Sequence, residues 1–457
     1  MRLRNFFAQL AAALSISLVL AGCGSSSSSS SVPEPTPPAV SQLEVLHAVA
    51  DAPAVNVFAG GEALLTDVPF KAGSGFVEVE EGDLEVRVEA IVPGGNLDVI
   101  GPVDLSLPGN ERITVIAIGE AGGGTIEPLV LLAPLADLDA DEARLRVVHA
   151  APNAPMVDIY ATAPEDDLSG ATPLGSASFG EDLGPLTVAE GTYRIRVTAA
   201  SDASAVVFDS GPVDVPGGAD LVITAVENTG AGDAPISLVV LDGTGAFEIL
   251  DQNTGAAARV IHASPDAFNV DVLVEGVTPP AVADLAFPEF TGYLPLPAET
   301  INVQVVETGT TEPAAIDADL DLVAGFEYSV FAVGLAADIA PLVLVDDNRR
   351  IATEARVRIV HGAPSAPEVD LYVVPAAADF TDFDPAFTAV PFTADTGYVS
   401  LAPGDYDVVV TVADTVDVAI GPVPVTVEAG GIYTAVARDE VGGGGPFGLI
   451  LLDDLAP

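Results

Sequence analysis

The stretch VVHAAPNAPMVDIY, Val147 to Tyr160, decides how the rest of the chain is read, because it returns three more times. The other copies are VLHAVADAPAVNVF (Val45 to Phe58), VIHASPDAFNVDVL (Val260 to Leu273) and IVHGAPSAPEVDLY (Ile359 to Tyr372). The protein has four histidines, and one stands near the start of each copy: His47, His149, His262 and His361. They lie 102, 113 and 99 residues apart, a period the size of one small domain. Further landmarks recur in step. SGFVEV, LGPLTV, TGYLPL and TGYVSL begin at Ser74, Leu183, Thr291 and Thr396, and each repeat closes on an apolar run such as PLVLL or GLILL. This pattern predicts four tandem modules, over residues 42–135, 143–245, 256–346 and 354–454.

Inside the phrase, the residues two and four before the histidine are apolar: Leu43 and Val45, Leu145 and Val147, Ala258 and Val260, Val357 and Ile359. The residue three before it is charged: Glu44, Arg146, Arg259 or Arg358. Strand alternation then puts the histidine on the inward face with the apolar pair. Four residues on stands a turn-former, Asp51, Asn153, Asp266 or Ser365, a type that bonds backbone two residues away. The phrase therefore reads as strand, tight turn, strand. Nine residues after the histidine comes Asn56, Asp158, Asp271 or Asp370, facing away from its apolar neighbours. The histidines are read as structural markers of the repeat, buried and bonded to the turn, against the competing readings of a metal contact or a general base. Four bases in four modules, with no fixed nucleophile beside them, do not make a hydrolase. The sequence contains no G-x-S-x-G, H-E-x-x-H, Cys/His zinc set or P-loop, and the chain is not expected to be an enzyme.

Runs with period two, such as LEVRVEAI, TYRIRVT and YDVVVTV, are bounded by turn signals, and 44 glycines and 37 prolines supply many turns. The expectation is an all-β chain of four immunoglobulin-like antiparallel β-sandwich modules, each large enough for its own core. The joints between modules are acidic and poor in large apolar residues. Independent modules, strung as a monomeric rod, are expected. Tyr193 and Tyr406 stand at turn-to-strand entries, like a tyrosine corner.

The formal charge is −52, and Lys71 is the one lysine. Such a surface repels nucleic acid, which is excluded as a partner. It suits high ionic strength or divalent cations. The metal candidates are Asp137, Asp139 and Asp141 between modules one and two, and Asp346 and Asp347 between modules three and four. DLDADE, from Asp137, starts like an EF-hand loop but has Glu142 where the loop needs glycine and Val148 where it needs glutamate. Ca²⁺ at these joints competes with solvated linker charge; no other cofactor is expected. Asp379, Asp382 and Asp384 lie in a loop that is longer in modules two and four than in one and three.

The first residues carry Arg2, Arg4 and an apolar stretch from Phe6 to Leu20, ending in Leu20-Ala21-Gly22-Cys23. This reads as a signal peptide over 1–22 and resembles the bacterial lipobox, whose cysteine is lipidated. Cys23 is the only cysteine, so no disulfide can form within the chain. Residues 23–41 are a Ser/Pro-rich, disordered tether. The resemblance implies membrane anchoring through Cys23. Gly24, in place of an aspartate, implies the outer membrane, on its periplasmic or cell-surface side. The repeated phrase itself resembles a bacterial family known as domain of unknown function 4397, best in LRVVHAAPNAPMVDIY and VRIVHGAPSAPEVDLY. Asn56 and Phe268 depart from its pattern. The resemblance implies exported or lipid-anchored β-rich modules. The expected role is that of a surface stalk with a structural, adhesive or binding function toward a protein or polymer. The alternative is a ligand-binding lipoprotein taking a polymer, a glycan or Ca²⁺ at module-end loops.

Overall fold

The computed structural model describes residues 38–135, 138–277 and 280–453. Cys23, the signal peptide, most of the tether and Asp137 lie outside them. Within them, strands alternate with turns, and the helical element is a single 3₁₀ turn, Phe380–Asp382. No helix among the described residues is long and apolar enough to cross a membrane.

Module 1 shows the plan. Its strands are β1 (Val40–His47), β2 (Val55–Ala59), β3 (Glu62–Val68), β4 (Val77–Glu80), β5 (Gly82–Ala90), β6 (Leu97–Leu107), β7 (Glu111–Ile118) and β8 (Glu127–Pro134). They form two facing sheets, in the orders β4-β1-β7-β8 and β3-β2-β5-β6. The other modules repeat both orders strand for strand, and module 2 adds an edge strand, Ala246–Ile249. The β-sandwich expected from the sequence is therefore present four times. Its strand order has a feature that alternation does not reveal: β1 runs parallel to β7, with Leu43 opposite Ile113 and His47 opposite Ala117. The equivalent pair is parallel in every module. Parallel strands occur where both faces of a sheet are covered, and that is the situation here.

One face of the histidine-bearing sheet closes the module's own core. In module 2 this core contains Leu145, Val147, Ile159, Val197, Phe208 and Leu238. The other face meets the neighbouring module. Leu46, Ile116 and Leu131 of module 1 join Val148, Val222 and Leu241 of module 2 in one apolar cluster. Ile261, Phe331 and Val333 of module 3 join Val360, Val436 and Ile450 of module 4 in another. Modules thus associate in face-to-face pairs, one with two and three with four. The expectation of independent modules is corrected on this point. The joints are indeed poor in apolar residues, but the contact lies on the sheet faces.

The charge three before the histidine lies inside these interfaces. Glu44 Oε1 accepts hydrogen bonds from Arg112 Nη2 at 2.6 Å and Thr114 Oγ1 at 2.8 Å. Arg112 also reaches Asp220 of module 2 at 2.7 Å, and Arg144 pairs with the same carboxylate. In the second pair, Arg358 Nη2 lies 2.6 Å from Asp346 Oδ1, while the hydroxyls of Tyr293 and Ser329 donate to Oδ2 at 2.6 Å. Arg144 and Arg146 donate to the carbonyls of Pro134 and Leu132 on the last strand of module 1. Arg356 and Arg358 donate to those of Asp347 and Val345 at the end of module 3. The same two bonds occur in each pair, so the repeat in space is a pair of modules.

The two pairs also touch. Arg349, after module 3, donates to the carbonyls of Ala50 and Ala52 at 3.0 and 2.7 Å, and the amide of Ala231 donates to the carbonyl of Gly325 at 3.1 Å.

Candidate functional site

Each histidine ends the first strand of its module, where the chain turns toward the second. His47 Nε2 lies 3.0 Å from the carbonyl of Pro53. His149 reaches Pro155 at 3.2 Å, His262 reaches Phe268 at 3.0 Å and His361 reaches Pro367 at 3.0 Å. The partner is always the residue six positions on. Nε2 therefore carries the proton. Nδ1 of His47 and of His262 accepts the amide two residues on, at 3.3 and 3.4 Å. The rings are buried, His47 at 3% exposure, and three of them stand edge-on to Phe70, Phe287 and Phe392, about 6 Å between centroids. A histidine in this setting is a joint: it satisfies a carbonyl in a turn with no strand partner of its own.

The aspartate nine residues later belongs to a different joint. Asp271 accepts the amides of Asp284 and Gly309 at 2.8 and 2.9 Å. Asp370 accepts those of Ala389 and Asp414 at 2.8 and 2.9 Å. Asp158 accepts the Ser176 hydroxyl at 2.5 Å and the Ser201 amide at 2.7 Å. Asp284, Ala389, Asp414 and Ser201 all have positive φ, so the carboxylate pins two strained turns at once. These bonds hold the carboxyls of Asp158 and Asp271 below the usual range. In module 1, Asn56 keeps half of the arrangement, accepting the amide of Asp67 at 3.1 Å. The imidazoles bond backbone, and the aspartates bond turn amides and the Ser176 hydroxyl. No His–Asp dyad forms among the described residues.

The turn-formers behave otherwise than expected. Asp51 accepts the amides of Ala121 and Gly122 at 2.7 and 2.8 Å, and Asp266 accepts that of Ala336 at 2.7 Å. Asn153 donates to Glu227 at 2.6 Å, and the amide of Ser365 donates to Asp439 at 3.4 Å. The bonds run to the loop after the seventh strand of the module, about 70 residues away, in place of the local Asx turn. The tyrosine corners are as read: the hydroxyls of Tyr193 and Tyr406 donate to the carbonyls of Ala189 and Ala402, both at 2.9 Å.

The metal candidates separate. Asp139 and Asp141 are exposed at the first joint. Asp346 is buried, its oxygens held by Arg358, Tyr293 and Ser329, and Asp347 lies 2.5 Å from Arg356. Asp379 caps the 3₁₀ turn that it precedes. Among the described residues, no three Asp, Glu, His or Cys side chains converge at ligand spacing. A cation at the third joint would have to displace arginines. A cleft of about 740 Å³ opens beside module 2, lined by Arg196, Asp209, Asp233, Asp251 and Asn253. Asp209 is held there by Arg194 at 2.5 Å. The mixed charge of this cleft suits a small polar ligand.

Burial disfavours the charged form of His47 and lowers its pKa from 6.5 to about 4; the Pro53 carbonyl opposes the shift and the charge of Arg349 adds to it. The folded-state value is depressed, so the stability it contributes is present above pH 6.5 and is lost as pH falls toward 4, by about 3 kcal/mol. Urea unfolding across that range should show this loss in the wild type and a flatter profile in His47→Gln. Parallel profiles would mean that the ring is not held neutral.

Residues 41–160, 256–372 and 374–457 match a family described as domain of unknown function 4397. Residues 161–255 fall outside the match yet carry the same strand order. No curated protein matches the chain. Among solved structures, the Bacillus anthracis TIE protein aligns over 84% of this chain and 65% of its own length, at 11% identity and a TM-score of 0.15. The chain thus spans less than two thirds of that protein, and a likeness so slight bears on neither fold nor function.

Proposed function

Since the chain belongs to the domain of unknown function 4397 family, whose description assigns no activity, we propose its role from its own residues: it is a lipid-anchored stalk on the outer membrane, on the periplasmic or cell-surface side, serving a structural or adhesive purpose without covalent chemistry. The observation that carries the passive reading is how the reactive side chains are spent. All four imidazoles bond the carbonyl of their own turn. The repeated aspartates pin turns, and the pairs Arg112–Asp220 and Arg358–Asp346 join module to module. These are the investments of a scaffold. The anchor rests on Leu20-Ala21-Gly22-Cys23, and the acidic surface favours protein or polymer partners over nucleic acid. A ligand-binding role has one place that favours it, the cleft beside module 2; Ca²⁺ at Asp137, Asp139 and Asp141 remains part of that second reading.

Cys23→Ser is the direct test. The variant is expected to stay unprocessed or to leave the membrane fraction, and to lose label from radiolabelled palmitate. Retention of both label and membrane association would sink the anchor.

A further inference from the structure

The interior of module 3 contains a cavity of about 230 Å³. Its walls come from both sheets, among them Ala258, Val272, Val305, Ile316 and Val330, and among the described residues every lining side chain is apolar. The space has a cause in the sequence. Four residues before the histidine, the other modules carry Leu43, Leu145 and Val357; module 3 carries Ala258. Where modules 2 and 4 place the corner tyrosines Tyr193 and Tyr406, the strand register of module 3 places Ile301. Module 1 has Leu84 at that position but keeps Leu43, and the cavity in its interior is only about 60 Å³.

Water gains little in the larger space, since it needs two to four polar partners and these side chains offer none. An apolar cavity of about 150 Å³ is enough to take up benzene or xenon, and this one is half as large again. It is also reachable. Val277, 45% exposed, forms part of its wall just beyond the second strand, Val270–Val274. The two edge strands on that side, Val282–Leu285 and Leu294–Leu296, are only four and three residues long.

We propose that module 3 is a binding site for one small, neutral, apolar molecule of aliphatic or aromatic hydrocarbon character, held between its two sheets. This goes beyond the stalk reading, and its failure would leave that reading untouched. The test is calorimetric titration of toluene into the full-length chain in detergent-free buffer, followed by thermal unfolding with and without toluene. One saturable site per chain and a raised melting temperature are expected. Ala258→Leu should melt higher without ligand and bind toluene at least tenfold more weakly. Ala258→Val, which copies Val357 of module 4, is the second variant should leucine prove too large to fold. No saturable heat with the wild type, or unchanged affinity in the filled variants, would overturn the proposal.

Discussion

A fragment of residues 143–245 expressed alone is expected to aggregate, whereas residues 39–249 should be soluble and unfold as one cooperative unit. Alone, module 2 bares Val148, Val222, Val226, Val239 and Leu241, each at most 3% exposed in the intact chain. They lie on the sheet face that covers module 1. Burying one such side chain contributes about 1.5–3 kcal/mol. Five together rival the whole net stability of an ordinary domain, about 5–15 kcal/mol. A bare patch of this kind also invites self-association. Size-exclusion chromatography and thermal unfolding of the two fragments decide the matter. A monomeric single module that melts where the pair melts would show that the shared face is dispensable.

The second large effect is expected at Asp346. Asp346→Ala leaves Arg358, 1% exposed, with its charge uncompensated in a dry interface, and removes the acceptor of the Tyr293 and Ser329 hydroxyls. Breaking a buried pair from one side costs about 3–5 kcal/mol. The melting temperature of the pair formed by modules 3 and 4 should fall by about 10 °C. Removing both charges in Asp346→Leu/Arg358→Met should recover only part of that loss, because Arg259, 2% exposed and 3.7 Å from Asp346 Oδ2, still loses a carboxylate neighbour. Asp139→Ala, at an exposed site, should change stability by no more than about 0.5 kcal/mol. A neutral Asp346→Ala would mean that the interface is wet and loose.

The comparison of these two aspartates shows how far the sequence could be read. The module count, the sandwich class, the inward histidine and the tyrosine hydroxyl bonds all follow from local patterns, since each depends on residues within one strand and its turn. Asp346 did not yield to that logic. It looks like linker charge because it precedes Asp347, Asn348 and two arginines, yet it is the last residue of a strand, and its carboxylate is held by Tyr293 and Ser329 of its own module and by Arg358 of the next. The partners of Asp51 and Asp266 are likewise about 70 residues away, beyond the reach of any turn rule.

The pairing of modules did leave a trace. Directly before each histidine stand Leu46, Val148, Ile261 and Val360, apolar on the face that alternation assigns to solvent. Two adjacent apolar positions at the end of a strand are the mark of a sheet covered on both sides. A second trace is the alternation between modules: corner tyrosines and the longer loop belong to two and four, and neither occurs in one and three. That pattern distinguishes two kinds of module, and each pair contains one of each.

Parity follows from this. A chain whose every module leans on one unlike neighbour cannot be lengthened or shortened by a single copy without leaving a sheet uncovered. The heritable unit of such an architecture is the couplet. Gene duplication or deletion that respects folding would move in steps of two, and an odd-numbered product would be able to cover its last sheet only by recruiting a second molecule.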